Sequence, residues 1–182
     1  NKKYSLGKYV PTSPMYLSMP SEHEFLQYTN EYLVDLCAAL DSENRYEYIF
    51  FDQLVPPLNI QPYLRYYTNM LVVVVDRDPR DHYIDNITKW REGWIPTEIN
   101  EYIRYYRKLR EGLGTEKEDS RVLRICFEDS IYKYEEFSSK VNDFLGLNIL
   151  NHVNPKKFFN PEKSINNTQL WKKHKVCMND IQ

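Results

Sequence analysis

The chain has 182 residues, of which 42% are apolar and 27% are charged, so it contains enough apolar material for a folded core. Its 24 Lys and Arg residues against 26 Asp and Glu residues give a formal net charge of -2, which argues against a general nucleic-acid-binding protein. No apolar run is long enough to span a membrane. Three widely spaced cysteines favour reduced thiols in a cytoplasmic protein over a disulfide framework.

The first predicted helix covers about residues 22–40. Ser21 and Glu24 have the spacing of a capping box, and apolar residues follow at near-helical intervals. Residues 48–51 are a short apolar run that ends in Asp52 and is soon followed by two prolines. This pattern predicts a buried strand that a loop terminates.

The strongest strand pattern of the chain is at residues 70–75, which read Met-Leu-Val-Val-Val-Val. A continuous β-branched run predicts burial on both faces, as in a parallel sheet that helices cover. Asp78 follows as a potential helix cap, and Pro79 suits the first turn of that helix. A further helix is predicted to open at Thr97.

Residues 121–127 predict a third strand, and the apolar spacing in residues 134–145 predicts an amphipathic helix that ends at Gly146. A short helix is expected near Trp171. Strands that alternate with helices predict an α/β fold with a parallel sheet flanked by helices, within a single domain over residues 1–182.

Glycine is scarce, with five residues in the whole chain. The closest pair, Gly112 and Gly114, follows a helical pattern and lacks the third glycine of a dinucleotide-binding loop. We therefore interpret this pair as a helix end or a turn. The four histidines have no metal-ligand spacing among themselves, so no metal site is predicted.

Arg77 is the residue that says most about function. Ligands of open α/β sheets bind beyond the carboxyl ends of the strands, and Arg77 directly follows the predicted strand there. A guanidinium beside a helix N-terminus suits a phosphate group. The alternative is that this arginine is paired with Asp76, Asp78 or Asp81.

Lysines are concentrated towards the C-terminal end of the chain, against two acidic residues in the same segment. They are either a solvated basic tail or part of a local anion site. The six lysines of residues 151–182 are Lys156, Lys157, Lys163, Lys172, Lys173 and Lys175.

Residues 74–83, Val-Val-Asp-Arg-Asp-Pro-Arg-Asp-His-Tyr, resemble the 3'-phosphate-binding strand and helix of sulfotransferases that use PAPS (3'-phosphoadenosine 5'-phosphosulfate). Three more segments resemble, in order, the family's Tyr-Glu-Asp strand end, its Phe-Leu-Gly helix end and its closing loop with a Trp-Lys. These are residues 126–129, residues 144–147, and residues 159–164 with 171–172. The Asp-Gln at 52–53 and the Asp before Arg77 are most similar to bacterial polysaccharide-type members.

This resemblance implies a P-loop-containing nucleotide hydrolase-like architecture. It also implies transfer of a sulfonate from PAPS, with release of PAP (adenosine 3',5'-bisphosphate), to a hydroxyl of a carbohydrate acceptor. By the resemblance, Arg77 holds the 3'-phosphate, Phe127 stacks near the adenine, and Lys163 and Ser164 lie in the loop that closes over the phosphate.

One position departs from that pattern. The family usually has a Ser eight residues after the arginine, whereas this chain has Asp85, which cannot donate a hydrogen bond when it is ionised. Either Asn86 or Thr88 replaces that donor, or binding of the 3'-phosphate is weakened. Glu128 and its neighbour Asp129 are interpreted as structural instead of catalytic.

Sulfonate transfer needs a general base near the acceptor hydroxyl, and many relatives with small acceptors place a His after the second strand. This chain has no His there, so Asp52 is the candidate base. The alternative is that Asp52 caps the following loop and that the base is a Glu in a segment before Asn1.

The family's 5'-phosphosulfate loop, a strand with a Gly-Thr-Thr-type turn, is not found in these residues. Since the chain begins with Asn instead of Met, we expect the loop upstream, and we expect the 182 residues alone not to transfer sulfate. Two other functions stay open: a non-catalytic anion-binding or interaction module on the same scaffold, and a relative of the nucleoside-phosphate kinases.

Overall fold

The computed structural model describes residues 20–90, 95–111, 118–148, 150 and 152–174. The chain divides into two compact units, which are described separately. The first consists of residues 1–52 and 63–68, and the second of residues 53–62 and 69–182. The pair Gly112 and Gly114, interpreted above as a helix end or turn, lies outside the described residues.

Helices dominate the described residues, and one parallel sheet accompanies them. The helices are α1 (Glu22–Leu40), α2 (Pro79–Asp85), α3 (Ile99–Arg110), α4 (Phe127–Tyr132), α5 (Tyr134–Leu145), α6 (Pro161–Ser164) and α7 (Leu170–Lys173), and the strands are β1 (Val72–Asp76) and β2 (Val122–Cys126). Short 3-10 helices occur at Tyr63–Arg65 and Ile165–Asn167, and a π-helical turn, Asn86–Trp90, follows α2. Within the described ranges, no helix combines the length and the apolarity that crossing a membrane requires.

Helix α1 forms the first unit together with residues 63–68. Its predicted bounds and its capping box are confirmed, since the Ser21 hydroxyl accepts from the Glu24 N–H at 3.2 Å and the Glu24 carboxylate accepts from the Ser21 N–H at 2.8 Å. The Phe25 ring packs edge-on against Tyr66, with 5.9 Å between the ring centroids. The helix is thus held by its local cap and by aromatic packing on one side.

Residues 48–51 do not form the expected buried strand. The segment is irregular, and the Phe50 side chain is 87% exposed. An aromatic run favours a strand only where a neighbouring strand pairs with its backbone. In the described part of the chain the sheet consists of β1 and β2, so this run has no strand partner there.

Strands β1 and β2 belong to the second unit and pair in parallel, from Val72 opposite Val122 to Asp76 opposite Cys126. The parallel sheet is confirmed, and the connection between the strands carries helices, as parallel pairing requires.

Burial of β1 on both faces, which the apolar run predicted, is wrong. Val74 is buried, whereas Val73 and Val75 are exposed. A β-branched run reports the preference of the backbone for a strand, but it does not decide whether a second layer covers the other face.

The core of the second unit lies between α2 and α3. Ile84 is fully buried, and the rings of Tyr83 and Tyr102 pack with their centroids 5.0 Å apart. The Tyr102 hydroxyl donates to the carbonyl of Pro79 at 2.8 Å, so the aromatic core also satisfies a backbone group at the start of α2. Apolar side chains that pack around this core are Ile87, Ile95, Ile99, Tyr105, Tyr106, Leu170 and Trp171.

The ends of the helices follow local sequence signals in most cases. The Asp78 carboxylate accepts from the N–H of Arg80 at 2.9 Å and caps α2, which begins at Pro79 as predicted. Helix α5 ends at Gly146, whose φ of 67° lies in the left-handed region that favours glycine. The helix expected to open at Thr97 instead begins two residues later, as α3.

The boundary between β2 and the next helix also differs from the prediction. The strand ends at Cys126, and Phe127 is the first residue of α4. Because β2 ends early, the Phe127 ring lies just beyond the strand. The guanidinium carbon of Arg77 is 5.2 Å from the centroid of this ring.

A buried carboxylate connects α2 to α7. Asp81 is 1% exposed, and it accepts from the backbone N–H groups of Gln169 at 2.6 Å and Trp171 at 3.3 Å. Charge-assisted hydrogen bonds of this kind stabilise more than neutral ones. Asp81 therefore holds the segment around α7 against α2 within the second unit.

We expect Asp81→Ala to lower the free energy of unfolding by about 2 kcal/mol or more, because it leaves two backbone donors without their acceptor. Urea unfolding followed by circular dichroism measures the change. Asp143→Ala, which truncates an exposed carboxylate on α5, is the matched control and should change stability by less than about 0.5 kcal/mol. Equal effects of the two substitutions would show that the Asp81 bonds contribute little.

Candidate functional site

An open cleft of about 660 Å³ lies at the carboxyl ends of β1 and β2. This is the edge at which parallel α/β sheets bind their ligands, and the volume is that of a small-molecule site. The cleft is lined by residues that follow the two strands: Asp76, Arg77, Asp78, Pro79, Arg80, Cys126, Glu128 and Asp129.

Arg77 is the point at which three separate segments of the chain meet. Its Nη1 donates to the Asp85 carboxylate at 2.8 Å, and its Nη2 donates to the carbonyl of Asn167 at 2.6 Å. The guanidinium carbon lies 5.2 Å from the centroid of the Phe127 ring, within the range of a cation–π contact. The end of α2, the start of α4 and the segment after α6 thus converge on one cation.

Asp85 lies between two cations. Besides the Arg77 contact, its other carboxylate oxygen is 2.6 Å from the Lys89 Nζ. Burial by itself raises the pKa of Asp85, but the hydrogen bonds from Lys89 and Arg77 outweigh it, so the pKa is lower than the ordinary value. The side chain is therefore an anion at neutral pH, and the three groups together carry a net charge of +1.

The carboxylates that the sequence offered as partners of this arginine are bound elsewhere. Asp76 accepts from the Arg110 Nη1 at 2.7 Å. Asp78 receives both the Nε and the Nη2 of Arg80, at 3.0 and 2.7 Å. Burial raises the pKa of Asp78, but the Arg80 bonds more than offset this and lower it.

Two further contacts close the rim of the cleft. The Arg80 guanidinium carbon lies 4.0 Å from the centroid of the Trp171 ring, which α7 presents. The Glu128 carboxylate accepts from the N–H of Asp78 at 3.0 Å, and it thereby joins the start of α4 to the loop before α2. Glu128 thus has a positioning contact, in keeping with the structural role that the sequence suggested for it.

Asn86 and Thr88, the possible substitutes for the family's serine, already donate to backbone carbonyls. The Asn86 amide donates to Ile95 at 3.4 Å, and the Thr88 hydroxyl donates to Ile84 at 2.6 Å. In this structure neither side chain donates a hydrogen bond to the Asp85 carboxylate.

The predicted closing-loop residues lie on α6. Lys163 is exposed and Ser164 is half-buried. The residue of this region that reaches Arg77 is Asn167, through its backbone carbonyl, and its side-chain oxygen also accepts from the Lys89 Nζ at 3.3 Å. Sequence reasoning missed this residue because a backbone carbonyl carries no residue-type signal.

Lys89 was also missed, although a signal for it exists. It stands four residues after Asp85, the spacing at which a carboxylate and an ammonium group meet on a helix. Asp52 belongs to the first unit and is exposed, so the partial desolvation on which its proposed role as a base depends is not observed. That role stays a prediction.

None of the described lysines of the C-terminal segment is among the residues that line the Arg77 cleft. Lys156 and Lys157 lie over aromatic rings, 5.3 Å from the Tyr134 centroid and 5.0 Å from the Phe158 centroid. They line a second cleft, of about 390 Å³, next to α5. In the described ranges, no group of three or more His, Cys, Asp or Glu side chains could hold a metal ion.

His82 lies on α2 beside this network. Its Nδ1 is 3.1 Å from the Tyr102 hydroxyl, which itself donates to a backbone carbonyl, so the ring nitrogen is the donor. Burial is the main cause that lowers the pKa of His82, and the positive charges of Arg77 and Arg110 lower it further against the opposing effect of Asp85.

Comparison of the chain with protein-family models, with curated proteins and with solved structures finds no match.

The His82 environment predicts a pH-dependent stability. Because its folded pKa is below the unfolded value of about 6.5, the unfolded chain binds the proton more readily, and the free energy of unfolding decreases as the pH falls through 6.5. We expect His82→Gln to flatten this decrease between pH 7.5 and 5.5 in urea unfolding. His152→Gln, at an exposed histidine, should keep the full slope, and an unchanged slope in His82→Gln would contradict the prediction.

Proposed function

We propose that this chain is the nucleotide-binding part of a sulfotransferase, with the P-loop-like α/β architecture of that class, and that it serves the transfer of a sulfonate to a hydroxyl. The observation that carries the proposal is the convergence on Arg77. Three of the four segments that resemble sulfotransferases contribute to it or to its rim, although they are far apart in the sequence.

The arrangement fits a phosphate group on one condition. Arg77 and Lys89 are two cations that share the carboxylate of Asp85, so these three side chains together carry one positive charge in excess. In addition, the Nε of Arg77 is buried and has no acceptor among the described residues. A phosphate fits here if it takes the place of the carboxylate on Arg77.

Each residue then has a distinct task toward a 3'-phosphorylated adenine nucleotide such as PAPS. Arg77 binds the 3'-phosphate, the Phe127 ring offers an apolar face, and the segment that contains Asn167 covers the guanidinium from the other side. Such a donor supplies the sulfonate when it is bound. Arg80 lies at the rim, where Asp78 pairs with it and the Trp171 ring packs against it.

The acceptor side of the proposal rests on the resemblance to bacterial polysaccharide-type members. By this resemblance, the acceptor is a carbohydrate hydroxyl and Asp52 is the candidate base that takes the hydroxyl proton.

A second candidate function is a non-catalytic interaction module on the same scaffold. The observation that favours it is that the anion place on Arg77 is filled by the protein's own carboxylate. The two candidates differ in whether the chain binds a 3'-phosphorylated nucleotide.

Calorimetric titration with PAP tests the proposal. We expect measurable binding to the wild-type chain, and we expect Arg77→Ala to weaken it tenfold or more, since a charge-assisted bond to a phosphate contributes about 1.5–3 kcal/mol.

Arg107→Ala is the matched control, because Arg107 is an exposed arginine on α3, and it should change the dissociation constant less than threefold. Absence of PAP binding at millimolar concentration would favour the interaction module. Equal binding by the wild type and Arg77→Ala would remove Arg77 from the site.

A further inference from the structure

The ion-pair network at the end of α2 has the composition of an occupied anion site. Two cations from different positions, Arg77 and Lys89, direct a guanidinium N–H and an ammonium group to opposite oxygens of one carboxylate, at 2.8 and 2.6 Å. The Asp85 and Arg77 side chains are 16% and 20% exposed, so this pairing is mostly shielded from water. Phosphate oxygens accept from guanidinium and ammonium donors as carboxylate oxygens do.

We propose that Asp85 is an internal competitor that occupies, between Arg77 and Lys89, the place of a ligand phosphate group and thereby sets the affinity of the protein for that group. The nature of the ligand, a 3'-phosphorylated nucleotide, rests on the function proposed above. The competition itself rests on the contacts of Asp85.

The covalent connection of Asp85 to α2 makes it an effective competitor. Its carboxylate does not have to be brought from solution, and the helix that ends at Asp85 holds it beside Arg77. A ligand binds only to the fraction of molecules in which the carboxylate has left the guanidinium, so its apparent dissociation constant is the intrinsic constant divided by that fraction. If the place is open in one molecule in ten or fewer, binding is weakened about tenfold or more.

Other groups around the carboxylate agree with this assignment. Asn167 places both a backbone carbonyl on Arg77 and a side-chain oxygen near Lys89, so it orients the two cations without neutralising them. Asn86 and Thr88, which follow Asp85, direct their donors to backbone carbonyls. Asp85 is the carboxylate that pairs with both cations, and it neutralises one of their two charges.

The test compares phosphate binding by the wild type, Asp85→Ser and Asp85→Asn, with inorganic phosphate and PAP as probes in calorimetric titrations. Serine is small and neutral and leaves the position between Arg77 and Lys89 empty, whereas asparagine keeps the volume of the Asp85 side chain and removes its charge. We expect both substitutions to strengthen the binding of both probes by about tenfold or more. The second variant keeps the test valid if the first one unfolds, which thermal unfolding by circular dichroism reveals.

Asp119→Asn is the matched control, because it removes a 17% exposed carboxylate that pairs with Arg121 just before β2 begins, outside the residues that line the cleft. It should strengthen phosphate binding less than threefold. The double variant Arg77→Ala with Asp85→Ser should lose the gain, since the gained phosphate would lie on Arg77.

Failure of the inference is distinct from failure of the proposed function. Unchanged phosphate and PAP binding in both Asp85 variants, or an equal gain in Asp119→Asn, would overturn the role of Asp85, even where the wild type binds PAP through Arg77. A gain for inorganic phosphate without any binding of PAP would support the role of Asp85 and overturn the nucleotide function.

Discussion

The buried carboxylate of Asp81 is the interaction on which the arrangement of the candidate site depends. By accepting from the backbone of Gln169 and Trp171, it holds the segment around α7 against α2. That segment brings the Trp171 ring over Arg80 and the Asn167 carbonyl to Arg77. A single short side chain thus links the core of the second unit to the rim of the cleft.

The charges at the carboxyl ends of β1 and β2 are arranged in pairs. Asp76 pairs with Arg110, Asp78 pairs with Arg80, and in both cases one carboxylate serves one guanidinium. The group around Arg77 differs because two cations share one carboxylate. The trio of Arg77, Lys89 and Asp85 therefore carries one positive charge in excess, which is the property that a phosphate group would detect.

Local signals predicted most of the helices. A capping box defines the start of α1, Asp78 and Pro79 define the start of α2, and Gly146 defines the end of α5. Each of these signals works within one turn of the backbone, so nearby residues are sufficient to determine it. The run at 48–51 was misjudged because a strand depends on a partner that no local pattern reveals.

The candidate site was predicted only in part. The sequence pointed to Arg77 and to the vicinity of Phe127, since both follow strands of a parallel sheet. It did not identify Asp85 as the partner of Arg77, because three other carboxylates lie closer along the chain, and it did not identify Asn167, which is 90 residues away.

The amino-acid sequence by itself determined most of the helices, the parallel α/β class and the position of an arginine at the carboxyl end of β1, because propensity, caps and strand periodicity are local properties. Only the tertiary structure decided which face of β1 is buried and which charges pair. Those outcomes depend on distances between segments that are remote in sequence, and Arg77 acquired Asp85 and Asn167 as partners when α2 and the segment after α6 packed together.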